Sequence, residues 1–177
     1  MKAHSILLAV ALLAIGAIAY AQDRGQQPAN GAATTKATYL VTGLHCPPCT
    51  RTVESSLSRI SGIRSIKVDW QKKSAAVEFD ESVLPAQRVA QLIAGTPHMM
   101  GGNMKYAGWL ALRIPELRDD ATARAAKDAL SKLPGVTRVA AYPAQHSLSV
   151  EFGAQGAVTS RQLIDALAAA GLKAETF

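Results

Sequence analysis

The chain has 177 residues, and 19 Lys and Arg against 13 Asp and Glu leave it mildly basic, at +6. That length fits one ordinary domain or two small ones, and the charge favours an acidic partner or an anionic surface. Aromatic residues are only 5% of the chain and no basic–aromatic run occurs, which sets nucleic-acid binding aside.

The first residues have the form of an export address. Lys2 opens it, Ile6 to Ile18 is a nearly unbroken apolar run, and Ala19-Tyr20-Ala21 is a small-x-small cleavage site. An apolar run of about 13 residues is short for a membrane span. Residues 1–21 are therefore predicted to be a signal peptide, and the mature protein periplasmic or secreted. Membrane association is expected only if the signal stays uncleaved. Residues 22–36, QDRGQQPANGAATTK, are polar and rich in turn formers, and predict a flexible linker.

Ordered sequence is expected from Ala37. ATYLVTGL (37–44) predicts a strand. Residues 49–60 predict a helix, with Val53, Leu57 and Ile60 on one face and Gly62 as its stop. Ile66, Val68 and Trp70 alternate in 63–70, and Ala75, Val77 and Phe79 alternate in 74–80. With the polar QKK between them, these segments predict a hairpin. Pro85 suits the first turn of a second helix, with Val89, Leu92 and Ile93 as its apolar stripe. A last strand is expected near 103–108. The order β-α-β-β-α-β is the ferredoxin-like unit.

The second half repeats this pattern. VEF occurs at 77–79 and at 150–152, an offset of 73. The same offset places Leu57 on Leu130, Ile60 on Leu133, Gly62 on Gly135 and Ile66 on Val139. The second helices align at 74, with Val89 on Leu163 and Ile93 on Leu167, and LKAETF (172–177) suits a closing edge strand. The predicted fold class is α+β, two tandem ferredoxin-like βαββαβ domains at 37–108 and 109–177. Residues 104–114 are expected to hold the last strand of one and the first of the next, and the two units to pack together.

The only two cysteines are Cys46 and Cys49, in TGLHCPPC. A disulfide over two intervening residues closes too small a loop to stabilise the fold much, so a chemical role is expected. The offset maps Cys46 onto Asp119 and Cys49 onto Thr122, so the second unit keeps the scaffold and lacks the thiols. Cys46 lies in the loop leaving the first strand and Cys49 at the start of a helix. Unsatisfied N–H groups there favour thiolates, and both thiol pKa values are expected to fall. His45 and Arg51 add positive character, while Pro47 and Pro48 stiffen the loop. Two thiolates suit a soft ion, Cu(I) or Hg(II). Zinc, which generally wants four ligands, fits less well.

GLHCPPC resembles the GMxCxxC motif of the heavy-metal-associated domain family, which includes copper chaperones, metal-binding domains of P-type ATPases and periplasmic mercury-binding proteins. The resemblance covers 37–108 as a metal site and 109–177 as scaffold only. It implies that Cys46 and Cys49 bind one ion and pass it by ligand exchange to a partner, a metal-transporting membrane protein or another metal acceptor. Leu44 stands where the family usually has Met, which packs under the loop.

Thioredoxin-like enzymes also place CxxC at a helix start, so a dithiol–disulfide redox protein using the CPPC pair is the alternative. An interaction module with incidental cysteines is a third. No catalytic triad, phosphate loop or carboxylate pair is present, so neither enzymatic activity nor a small-molecule substrate is expected. PHMMGGNM (97–104) gathers His98, Met99, Met100 and Met104 in a connection that the family brings near the cysteine loop. These are candidate accessory ligands for Cu(I), set against Met as packing filler at a domain junction. His146 is expected to be solvated in a hairpin turn.

Overall fold

The computed structural model describes residues 34–177. The predicted signal peptide and residues 22–33 of the predicted linker lie outside the described residues. The first strand, β1 (Thr34–Thr42), takes in three residues expected in the linker. It is followed by α1 (Pro47–Leu57), β2 (Ile63–Asp69), β3 (Ser74–Asp80), α2 (Ala86–Gly95) and β4 (Ala107–Arg113). The second half adds α3 (Asp120–Leu130), β5 (Val136–Tyr142), a short 3-10 turn at Pro143–Gln145, β6 (Ser147–Phe152) and α4 (Ser160–Ala169). Among the described residues no helix is long and apolar enough to cross a membrane.

The strands form one antiparallel sheet in the order β2-β3-β1-β4-β6-β5. One row of side chains runs across it: Val68, Ala75, Tyr39, Leu110, Val150 and Val139 are successive cross-strand neighbours. Opposed residues share a face, so this row marks the core side. Tyr39 of that row donates its hydroxyl proton to the Ala86 carbonyl at the start of α2, 3.0 Å away. The helices follow the row, with α1 packed over β2, α2 over β4 and α3 over β5.

One expectation needs correction. Two tandem units were to contribute a strand each from 104–114. A single strand, β4, occupies the place of both. Residues 107–110 pair with Thr42 to Tyr39 of β1, and residues 110–113 pair with Val150 to Ser147 of β6. Leu110, fully buried, belongs to both ladders. Seven residues are too few for two strands of ordinary length, so the strand is shared and one sheet results. The strand expected at 172–177 is reduced to a bridge between Arg113 and Glu175.

The halves are also tied by a buried side chain. Gln87 of α2 is completely buried. Its amide nitrogen donates to the carbonyls of Gly153 and Gln155, at 3.0 and 2.8 Å, and its amide oxygen accepts from Val158 N at 3.0 Å. The loop between β6 and α4 is thereby fastened to the first half. Periodicity gives no sign of this, because a polar residue on a helix predicts solvent.

Several backbone features recur 73 residues apart. Gly62 and Gly135, 73 apart, both take positive φ, 94° and 101°. Lys73 and His146, also 73 apart, are left-handed at φ 50° and 48°. The bulges at Ile63/Ser65 and Val136/Arg138 keep the same offset. His146 is not simply solvated: its Nδ1 lies 3.1 Å from the Leu117 carbonyl.

Candidate metal centre

The helix α1 begins earlier than expected, at Pro47, and this fixes the roles of the loop residues. Cys46 is the N-cap, extended at φ −154° and ψ 158°, and Pro47 and Pro48 are the first two helical residues. Proline is suited there because its missing N–H has no intrahelical partner to lose. Cys49 is the third helical residue, and its N–H bonds back to the Cys46 carbonyl at 3.0 Å.

N-cap and third-residue side chains converge at a helix start. In α3 the equivalent pair is Asp119 and Thr122, and it makes a capping box. In α1 the pair is Cys46 and Cys49, and the N-cap side chain makes no capping hydrogen bond to the helix backbone. Two sulfurs therefore occupy the place of two capping oxygens. Both cysteines are free, and their sulfurs are 2.9 Å apart. Cys49 is fully buried, whereas Cys46 is half-buried at the surface.

The loop is held from below and from one side. Leu44 is buried in the core, the packing expected of it. Gly43 has φ 84°, and a Cβ there would run into the Lys105 carbonyl, so the close approach of 43 to 105 requires glycine. That approach brings in Tyr106, which is buried and sits against the imidazole of His98 with ring centroids 4.4 Å apart.

The thiols do not both become more acidic, as was expected. Burial pushes the Cys49 thiol up. The hydrogen bond from Cys46, the backbone at His45, the Tyr106 hydroxyl and the backbone at Cys46 outweigh it and bring the pKa to about 7. Cys46 is raised, chiefly because its hydrogen bond to Cys49 holds the proton. Two thiols in contact share one proton, so the first ionisation makes the second harder. Hydrogen bonding, not the charge of Arg51, acidifies Cys49. The Tyr106 hydroxyl is pushed up to about 12, first by burial and then by Cys49. It makes no well-formed hydrogen bond to the thiol, yet it lies close enough to favour the thiolate, a much stronger acceptor.

The accessory candidates separate. Met99 reaches the site: its sulfur is 3.9 Å from Cys46 Sγ. His98 lies beside the loop with both ring nitrogens engaged. Nε2 is 2.9 Å from the Gly43 carbonyl, and Nδ1 accepts from Met100 N at 3.2 Å. It therefore positions the loop and has no lone pair left for a metal. Met100 is exposed and Met104 half-buried; among the described residues, Met99 is the methionine whose sulfur reaches a thiol. Tyr106 was not foreseen, and no spacing marks it, because only the folding of β4 against β1 brings it under the cysteines.

The heavy-metal-associated domain model matches residues 38–98. The copper chaperone CopZ of Enterococcus hirae is 36% identical over 58 residues, which are 33% of this chain and 84% of that protein. The chain belongs to the heavy-metal-associated domain family. The mercuric transport protein periplasmic component of Shigella flexneri is also similar to it, at 33% identity over 63 residues, 36% of this chain and 69% of that protein. Among solved structures, the water-soluble region of the P-type ATPase CopA from Bacillus subtilis aligns over 82% of this chain and 92% of that one, at 18% identity and a TM-score of 0.41. The matched heavy-metal-associated segment contains both cysteines and ends just before Met99 and Tyr106.

Proposed function

We propose that the protein is an exported carrier of a soft metal ion, Cu(I) or Hg(II), held by Cys46 and Cys49 and passed on by thiolate exchange. The carrying observation is the pair of free sulfurs converging at the start of α1, where the equivalent helix places a capping box. Among the described residues no cluster of three or more His, Cys, Asp or Glu side chains is placed to hold a metal, so the donor set is soft and small. Copper and mercury in the names of the relatives agree with this chemistry.

Unequal burial gives the exchange its order. Two metal–sulfur bonds of about 2.3 Å in line place the sulfurs about 4.6 Å apart, so the 2.9 Å pair opens on binding. Buried Cys49 is the anchor, and Cys46, nearer the surface, swings outward. An incoming thiolate attacks the ion from the Cys46 side and adds to it. Cys46 then leaves and takes up a proton, which its raised pKa favours. The chain is in this view a carrier, not an enzyme, and its partner a metal-transporting protein or other metal acceptor. The second half is a copy without the site, since Asp119 and Thr122 present oxygens already bonded to each other. The predicted signal peptide supports a periplasmic or secreted location.

Titration of the reduced chain tests this. One Cu(I) or Hg(II) should bind per chain, and Cys46→Ser or Cys49→Ser should abolish tight binding. Tight binding by the double variant would sink the proposal. Dithiol–disulfide exchange is a second reading, favoured by the same contact and the acidic Cys49. A disulfide-reductase assay of the metal-free chain distinguishes it.

A further inference from the structure

Residues 97–106 connect α2 to β4, and they cover the cysteine loop. Their backbone makes two successive turns, closed by Gly101 N to the His98 carbonyl and Met104 N to the Gly101 carbonyl, both at 3.2 Å. His98 fastens the first turn on both sides of Met99. Its Nε2 reaches Gly43 of the cysteine loop, its Nδ1 holds Met100 N, and its ring lies on Tyr106. Met99 therefore has a fixed backbone while half of its side chain remains exposed. An unconstrained side chain at such a place would extend into solvent. Its sulfur instead stands 3.9 Å from Cys46 Sγ.

That separation has a chemical meaning. Three sulfurs around one ion, with bonds of about 2.3 Å, stand about 4.0 Å apart at the corners of a triangle. The Cys46–Met99 edge already has this length, and the 2.9 Å Cys46–Cys49 edge would have to widen by about 1 Å. A thioether is a soft, neutral donor that suits Cu(I). Hg(II) is satisfied by two thiolates in line and gains little from a neutral third sulfur.

We propose that Met99 is a third ligand, making the site a three-sulfur Cu(I) site and biasing the cargo toward copper over mercury. This rests on the proposed function and names its metal. The thioether sits beside Cys46 and needs no deprotonation to bind, so it keeps its hold on the ion while an incoming thiolate replaces Cys46. Met99 thus retains the ion during the transfer as well as selecting it.

The test uses the full reduced chain and three variants, Met99→Leu, Met100→Leu and Met99→His. X-ray absorption of the Cu(I) form should show three sulfur neighbours in the unsubstituted chain and two in Met99→Leu. Met99→His should show two sulfurs and one nitrogen. In competition with a Cu(I) chelator, Met99→Leu should weaken binding about tenfold to a hundredfold, the scale of losing a supporting group at a metal site. Hg(II) affinity against a competing dithiol should be unchanged, which also shows that the Leu variant is folded. Two sulfur neighbours in the unsubstituted chain, or an equal loss in Met100→Leu, would overturn the proposal while leaving the two-thiolate site standing. Copper binding that survives loss of both cysteines would instead remove the site itself.

Discussion

Replacing Tyr106 with Phe removes one oxygen beneath the cysteine loop, and its two consequences have opposite signs. The hydroxyl is buried and lacks a well-formed partner while Cys49 is protonated. A buried polar group in that state costs about 1–3 kcal/mol, so its removal should stabilise the thiol form by about 1 kcal/mol. The same hydroxyl lowers the Cys49 pKa, which stands at about 7. Hydrogen bonds to charged groups contribute about 1.5–3 kcal/mol. Tyr106 ranks behind Cys46 and the His45 backbone among the groups favouring the thiolate, so a loss of about 1.4 kcal/mol, tenfold in ionisation, is the reasonable scale. At pH 7 the Cys49 thiolate fraction should then fall from about one half to about one tenth.

Urea denaturation of the reduced protein measures the first effect, and thiolate absorbance against pH measures the second. The sign of the pH dependence follows from a folded pKa below the unfolded value. Thiolate stabilisation in the unsubstituted chain is fully present above the ordinary thiol pKa, about 8.5, and is lost as pH falls through about 7. Tyr106→Phe should therefore be the more stable protein at pH 6, and its advantage should shrink or reverse above pH 8.5 or so. Superimposed thiolate curves would refute the link from Tyr106 to Cys49. Lower stability of Tyr106→Phe at pH 6 would show that the hydroxyl has a partner and that its burial is not unfavourable.

The metal affinity itself should carry the signature of the coupled pair. Cys49 is lowered to about 7 and Cys46 raised, and both must lose their protons to bind a metal. The apparent affinity should rise by about two powers of ten per pH unit below 7 and by about one above it, until Cys46 also ionises; a uniform slope across pH 7 would show that the thiols titrate together. Gln87→Ala should strand the buried Val158 N–H and remove a partner of the Gln155 carbonyl, and cost about 2 kcal/mol, seen as a lower urea midpoint. A change below about 1 kcal/mol would mean that the loop after β6 is held by something else.

The pairing of hairpins and the presence of a helix after the cysteine loop were legible because each depends on neighbours in sequence, although that helix starts two residues earlier than its apolar face suggested, at Pro47. Alternation at Ile66–Val68 and Ala75–Val77–Phe79 marks strands, and glycines at 62 and 135 mark helix stops whatever the rest of the chain does. The spacing of 73 is also that between the left-handed residues Lys73 and His146. The cysteines were legible for the same reason: N-cap and third helical residue converge through local geometry, and the second half shows that position filled by a capping pair.

What could not be read depends on contacts between residues far apart. Nothing in AGWLALR says that one strand must satisfy two ladders; that follows from β1 and β6 having free edges of matching register on either side of it. Gln87 looks like a surface residue until the loop at 153–158 arrives to take its three hydrogen bonds. Both thiols were expected to become more acidic, since helix-start electrostatics treats them alike. Their contact and unequal burial separate them, lowering Cys49 and raising Cys46. Tyr106 and Met99 act on the cysteines only because β4 docks against β1 and carries its preceding loop over the site. Local sequence determined which groups could bind a metal, and the tertiary fold decided which of them meet.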